Sequence, residues 1–490
     1  MKRPMFYTAL IAACTTFVCF KFRSLTLITA IVLLVCAAAF AINKRYAVSA
    51  VFVICFCIML RMLSAYSDID KVDLYDGSYV NGTFVVTEDS ETDGSVTRVT
   101  LKAEKCDCLP RGMLISAVSY SGDAFLAGDI TETSVKISKF KDYNKSFWYG
   151  EDVFASGALA KETKIVGANP FYGFLGSVRR YINRTVFNYL GGDNAAALIA
   201  VLTGNKTFLS DMLKENIKKA GVSHLVAVSG LHLSILLGGI FKLYSNFFKN
   251  KYIKFAISAL SVFFIAGVCG FTKSIVRAGI MFVFAAAAPL FERGNDSLNT
   301  LGTAVTAVIL FSPFAVLSTA FELSVAATFA IIYLVPFYTN VLCGFLCPDI
   351  GMFKSIISAL LNTILASLAT MPVCIMRFGY ISTVSLITNI LLNYAVTGAL
   401  LFTAAAVILP GFCVTLKAVG FLIAGLCSKY MQFIINTFAD LPFSTVNAGT
   451  KTAIATALIF TALTAVVKIT DIISYKKGGN RFADNLRRCA

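Results

Sequence analysis

Residues 25–42 read LTLITAIVLLVCAAAFAI, eighteen positions without one charged side chain. As a helix, at about 1.5 Å per residue, such a run covers most of the roughly 30 Å hydrocarbon core of a bilayer. Similar runs flank it at residues 5–20 and 47–63, joined by the basic linkers Lys21-Phe22-Arg23 and Asn43-Lys44-Arg45. Nine more follow at residues 225–244, 255–271, 275–291, 298–317, 321–338, 356–375, 384–409, 412–435 and 452–469, which makes twelve. The pattern predicts an all-α polytopic membrane protein of about 12 transmembrane helices.

Composition points the same way. The chain has 490 residues, of which 57% are hydrophobic and 14% charged, with a mean hydropathy of +0.76. A soluble domain is about half apolar and about a quarter charged. Lipid is therefore the main solvent. Fourteen Cys form no disulfide scaffold, since most lie inside apolar runs, where Cys behaves as a small hydrophobe. Cys106 and Cys108 are the exceptions, and one intervening residue is too few for an easy bridge between them.

Charge divides the chain. Residues 67–166 hold 11 Lys/Arg against 17 Asp/Glu, a net of −6 in a chain of formal charge +16, so the remainder carries +22. Most of that excess flanks apolar runs, where Lys and Arg mark the cytoplasmic side. With Lys2 and Arg3 inside, the third span delivers the acidic segment to the outer face, and an even number of spans returns the basic tail, residues 473–490, to the cytoplasm. Three N-terminal transmembrane helices thus occupy residues 1–66. Residues 67–167 form a small β-rich extracytoplasmic domain, with short strand-like runs at 79–87, 96–103 and 113–118 separated by turns such as Pro110-Arg111-Gly112. Amphipathic and linking helices fill 168–220. In the first of them Phe171, Leu175, Val178, Ile182 and Val186 make an apolar stripe, with Arg179, Arg180 and Arg184 off it, as in a helix lying on a membrane surface. A transmembrane channel domain occupies 221–472.

Both histidines, His224 and His232, fall in Gly221-Val222-Ser223-His224-Leu225-Val226-Ala227-Val228-Ser229-Gly230-Leu231-His232. On one helix they would stand roughly 80° and about 12 Å apart, too far to share a metal without a break at Ser229-Gly230. Polar groups at membrane depth face a bundle interior or an aqueous path. Two uses follow, hydrogen bonding to neighbouring helices or lining a path. A catalytic pair of Ser229 with His232 lacks an acidic orienting partner.

The stretches Leu202-Thr203-Gly204, Ser223 to Leu233, Ser274-Ile275-Val276-Arg277-Ala278, Phe321-Glu322-Leu323-Ser324, Met371-Pro372, Phe378-Gly379 and Asn389 resemble, in order and spacing, the ComEC competence family. The acidic segment is similar to the OB-like outer domain that precedes the channel in that family. The resemblance implies a cell (inner) membrane channel that translocates single-stranded DNA into the cytoplasm during natural transformation. It has no enzymatic activity, cofactor, metal or catalytic residue of its own. The lipid bilayer surrounds it, and its other implied partners are an outer-face DNA receptor, a separate nuclease and a cytoplasmic ATP-driven motor. Family members with a C-terminal metallo-β-lactamase-like domain cluster histidines there; two histidines in all cannot build that site.

The DNA-path candidates are His224, Ser229, His232, Lys273, Arg277, Glu322 and Arg377. Lys273 and Arg277 are four apart and share a helix face, as backbone-tracking charges must, or else snorkel to the interface. Glu322 is placed to partner such a base. The alternative function is a secondary transporter of a small or anionic solute, with a midplane site at a helix break near Ser229-Gly230.

Overall fold

Pro4 has no amide hydrogen to leave unsatisfied, and it opens α1 (Pro4–Lys21). The computed structural model describes residues 3–93, 96–106, 108–121, 123–160, 163–226, 230–290, 296–346 and 351–476. After α1 come α2 (Leu25–Ile42) and α3 (Tyr46–Leu74). The α2–α3 turn is a Schellman cap with Lys44 at φ +54°: the amide of Arg45 donates to the carbonyl of Phe40 and that of Lys44 to Ala41. Helix α3 runs on past the expected boundary at residue 67. Its polar end is held by the pair of Lys71 with Asp68, and Val72 enters the core of the β domain.

That domain contains β1 (Tyr79–Val86), β2 (Glu91–Asp93), β3 (Val96–Cys106), β4 (Leu114–Ser119), β5 (Asp129–Ser138), α4 (Asp142–Gly150), β6 (Val153–Leu159) and β7 (Lys164–Ala168). Strand β1 pairs with β3, β3 with β4, β4 with β6, β6 with β5, and β5 again with β1, closing a five-stranded barrel. Only the β4 to β6 pairing is parallel within this ring. The connectivity is OB-like, and closure leaves the ring no open edge. Phe84, Leu101, Ile115, Val135 and Ile137 fill it. The strand-like runs expected in residues 67–167 coincide with β1, β3 and β4; β5 lacks the expected pattern because it buries Thr131 and Thr133 where large apolar residues would show the alternation.

The remaining elements are α5 (Pro170–Tyr189), α6 (Gly192–Thr203), α7 (Asp211–Lys219), α8 (Ser223–Val226), α9 (Gly230–Phe247), α10 (Lys251–Val268), α11 (Lys273–Ala287), α12 (Ser297–Phe311), a 3-10 turn at Pro313–Leu317, α13 (Thr319–Phe329), a π turn at Ala330–Leu334, α14 (Val335–Leu346), α15 (Gly351–Phe378), β8 (Tyr380–Ser382), α16 (Ser385–Ile408), α17 (Val414–Ala439), β9 (Thr445–Asn447) and α18 (Thr450–Lys476). Among the described residues nine helices are long and apolar enough to cross a membrane. The three other expected spans are also helical, as α9, α11 and α12, of 18, 15 and 15 residues. The chain is a multi-pass membrane protein.

The contacts divide it into two units. The first comprises Met1–Asn188, Leu233–Asn295 and Gly302–Phe321; the second comprises Tyr189–His232, Asp296–Leu301 and Glu322–Ala490. In the first unit the barrel is fastened to the helices by the loop after α4. Asp152, at φ +61°, accepts from the Lys273 ammonium and from the Ser312 hydroxyl, while Ser318 donates to Glu151 at 2.7 Å. Gly150 lies so close that a Cβ there would stand 2.7 Å from the amide nitrogen of Ser318. Phe314 is fully buried beneath this loop, with Phe20, Tyr66, Tyr149 and Phe154 around it at centroid distances of 5.5–6.0 Å. A second clamp joins the barrel to α5, where Arg180 meets Asp89 at 2.8 Å and Arg179 reaches Glu88 at 3.8 Å.

In the second unit α13, the π turn and α14 form one continuous rod packed on α15 and α18 through Leu334, Phe337, Leu365, Ala369 and Val467. The α16–α17 hairpin carries α6 and α7 on a polar stripe. Ser428, Gln432 and Asn436, each four residues apart on α17, bond to the carbonyl of Asn194 (3.1 Å), the side chain of Asn194 (3.0 Å) and that of Asn216 (3.0 Å).

Removing the Asp152 carboxylate leaves the Lys273 ammonium, 13% exposed, without its counter-charge. Asp152→Ala should therefore cost about 1–3 kcal/mol in thermal unfolding of the purified protein, and Lys273→Met combined with it should recover part of that loss. Equal stability of Asp152→Ala and wild type would show that the barrel is fastened elsewhere.

Candidate functional site

The segment that holds both histidines begins at a sharp elbow. Helix α7 starts with Ser210, whose hydroxyl accepts from the Leu213 amide, and it ends in a second Schellman cap. The amide of Gly221 donates to Lys218 and that of Val222 to Ile217, with Gly221 at φ +71°. Val222 and Ile217, the apolar pair of this motif, are both buried. A Cβ on Gly221 would stand 2.5 Å from the Cβ of Ser385 and 2.6 Å from that of Ser382. Glycine is required here twice, for conformation and for space.

The elbow is gripped from α16 and the short β8–β9 ribbon. Ser382 donates to the carbonyl of Lys219 and Thr388 to that of Ala220, both at 2.8 Å. These bonds satisfy carbonyls that the end of α7 would otherwise leave open. The ribbon follows α15, where Gly379 (φ +75°) turns the chain after Arg377 and Phe378. Arg377 grips Glu322 of α13 with two bonds, Nε to Oε2 at 3.1 Å and Nη2 to Oε1 at 2.7 Å. Glu322 thus has a base, and that base is Arg377.

Beyond the elbow, His224 is accessible, yet its imidazole is pushed down to about 4, first by desolvation and then by the Lys206 ammonium. Ser229 lies outside the described residues. His232, in α9, is fully buried.

In the first unit, Lys273 and Arg277 both stand on α11. The Lys273 ammonium is engaged with Asp152 and Ser312, at the barrel clamp. Arg277, one turn deeper, is 3% exposed and directs Nη1 at the sulfur of Met281, 3.0 Å away. The six described candidates are therefore divided between the units: Lys273 and Arg277 in the first, His224, His232, Glu322 and Arg377 in the second. Among the described residues, no cluster of three or more His, Cys, Asp or Glu could hold a metal ion.

Residues 201–470, more than half of the chain, match a family described as "Competence protein". The chain belongs to this competence family. All seven candidate residues and the elbow lie inside the matched stretch, whereas the barrel precedes it. Among similar proteins, "ComE operon protein 3" of Bacillus subtilis (strain 168) is 24% identical over 239 residues, 47% of this chain and 29% of that protein. "Uncharacterized protein YcaI" of Escherichia coli (strain K12) is 25% identical over 229 residues, 44% of this chain and 29% of that one. The aligned part thus spans less than a third of either relative. No solved structure matches the chain.

The motifs shared with the family have identifiable structural duties. Gly204, at φ +83°, caps α6, Gly221 makes the elbow, Glu322 and Arg377 pair, and Gly379 turns into the ribbon. Asn389 is more pointed. It is 8% exposed on α16, and its Oδ1 meets no hydrogen-bond donor among the described residues. A buried amide oxygen left open in this way is a candidate site residue. In the sequence Asn389 stands out only as part of the motif, with no role attached.

Two outcomes follow from this geometry. Gly221→Ala should lower thermal stability by more than about 1 kcal/mol through positive-φ strain and the two serine contacts. Gly238→Ala, at a position of α9 with nothing within 4 Å of the new Cβ, should be neutral or stabilising. Similar losses at both would remove the special status of the elbow. For His224, the lowered pKa keeps the ring neutral down to about pH 4, so the folded state binds fewer protons than the unfolded chain below about 6.5. Stability should consequently fall as pH drops from about 6.5 towards about 4. Carbon NMR of 13C-labelled histidines, with His224→Gln assigning the signal, should show no titration of His224 between pH 5.5 and 8. A midpoint near 6.5 would contradict this lowering.

Proposed function

We propose that the protein is a cell (inner) membrane channel that passes single-stranded DNA into the cytoplasm during natural transformation. The barrel faces outward and residues 473–490 face the cytoplasm. Membership of the competence family supports a role in DNA uptake, and the similarity to "ComE operon protein 3" of Bacillus subtilis agrees with it. The charge division supports the sidedness, because the acidic barrel avoids the side on which Lys and Arg are retained.

The single observation that carries the channel reading is α11. Its first turn is tied to the barrel through Lys273 and Asp152, and one turn further in it buries the guanidinium of Arg277. A cation at that depth is costly, and such residues mark ion or substrate routes. A polyanionic strand leaving an outer domain needs such a charge along its way. In this reading Arg277 attracts phosphate and His232 offers polar contact. Arg377 and Glu322 cancel one another and set the spacing of α13 and α15. Lys273 secures the barrel. DNA on the outer face, a receptor that presents it, a nuclease for the second strand and an ATP-driven motor at the inner face are the partners this reading requires.

Arg277→Ala and His232→Ala should reach the membrane in normal amount but reduce entry of labelled DNA into the cytoplasm by at least tenfold for the arginine. Quantitative immunoblotting of membranes beside uptake counts separates the possibilities. Uptake that declines only in proportion to protein abundance would make these residues structural.

A further inference from the structure

Arg23, in the turn between α1 and α2, lies over the ring of Tyr66 with its guanidinium carbon 4.6 Å from the centroid, and Nη2 meets Asp70 at 2.5 Å. These residues belong to a groove of about 460 Å³ that is also lined by Ser24, Ser67, Leu27 and Leu63. We propose that this groove binds the headgroup of a phospholipid bearing a primary amine, with the phosphodiester on Arg23 and the ammonium on Asp70.

The level of the groove is that of lipid headgroups. Ser24 immediately precedes the apolar α2, and Leu63 closes the apolar part of α3, on the side from which α3 continues into the barrel. Tyr66 is buried and its hydroxyl is used by the carbonyl of Cys19 at 3.0 Å, so the ring is a fixed platform beneath the guanidinium. The outer sides of the pair are open, with the Arg23 and Asp70 side chains 49% and 54% exposed. Its volume lies within the roughly 300–1,000 Å³ usual for small-molecule sites.

Charge selects the headgroup. An exposed ion pair is weakly held, so a ligand carrying both charges can replace it without leaving either group alone. A purely anionic headgroup would satisfy Arg23 but face Asp70, with Asp73 adding to the negative field around the guanidinium. A choline headgroup carries the cation but no N–H to donate to a carboxylate. A primary ammonium next to a phosphodiester matches all these groups, and Leu27 and Leu63 receive the start of the acyl chains.

The full chain in detergent should be offered phosphatidylethanolamine, phosphatidylcholine and phosphatidylglycerol in equal amounts and read by native mass spectrometry. Wild type should retain the ethanolamine lipid over each of the others by about fivefold, the ratio that one exposed charge contact supplies. Asp70→Asn should bring the ethanolamine and choline lipids to within about twofold. Free phosphoethanolamine at the same concentration should give no adduct, because nothing meets the apolar wall; an adduct as abundant as the lipid's would assign the groove to a soluble ligand and overturn the proposal. No preference in wild type, or an undiminished one in Asp70→Asn, would also overturn it. An arm that needs no variant is the melting temperature of wild type, which should rise with the ethanolamine lipid and not with the choline lipid; equal shifts would contradict the site.

Discussion

Lipid offers no hydrogen bonds, and every polar group carried into the bilayer must find its partner in the protein. The backbone meets this by forming helices. Side chains meet it by bonding back to their own helix, as Thr8, Thr203, Thr306 and Thr328 do to the carbonyl four residues earlier, or by bonding to the next helix, as Ser428, Gln432 and Asn436 do towards α6 and α7. The apolar runs give the chain its place in the membrane, but these polar contacts give its helices their particular neighbours. The same economy makes one exception informative: Asn389 leaves an amide oxygen without a donor among the described residues of the second unit. Arg277 buries its guanidinium inside the first unit, where it donates to the sulfur of Met281. Both lie in the stretch that defines the family.

The barrel obeys the opposite solvent. Outside the bilayer, water can satisfy a strand edge, yet the five-stranded ring closes and keeps its core apolar. Two kinds of joint hold it to the helices of its unit. One is covalent and continuous, since α3 crosses the membrane and ends with Val72 among the barrel's core residues. The other is ionic, at Asp152 and Lys273 and at Asp89 and Arg180. Together they orient the barrel over α11 and α5 more firmly than a single linker would.

Much of this was legible in the sequence, for reasons that can be stated. The apolar runs announced their helices because about 20 uncharged residues have few other solutions. The acidic segment announced a separate domain because its charge contradicts its neighbours. Lys273 was legible as an important cation but not in its use, because Asp152 lies 121 positions away and nothing local links them. The partner of Glu322 was likewise foreseen only as some base; two bonds from Arg377 across 55 positions decide it. Strand β5 was hidden by its buried threonines. The ribbon of β8 and β9 was hidden by brevity: three residues on each side carry no periodic pattern, yet Ser382 from that ribbon braces the elbow before His224. The elbow glycine was visible as part of a motif, while its positive φ and its serine neighbours were not.

In the proposed function DNA passes along α11, beside Arg277. The most direct test places a photo-crosslinking amino acid on that helix at position 281, next to the Arg277 guanidinium, and at position 284, where Phe284 is 47% exposed. Labelled DNA is then irradiated during uptake by living cells. Crosslinks between single-stranded DNA and position 281, absent at position 284 and absent when uptake is blocked, are the predicted result. No crosslink at 281 in cells that take up DNA normally, or equal crosslinking at both positions, would contradict the path.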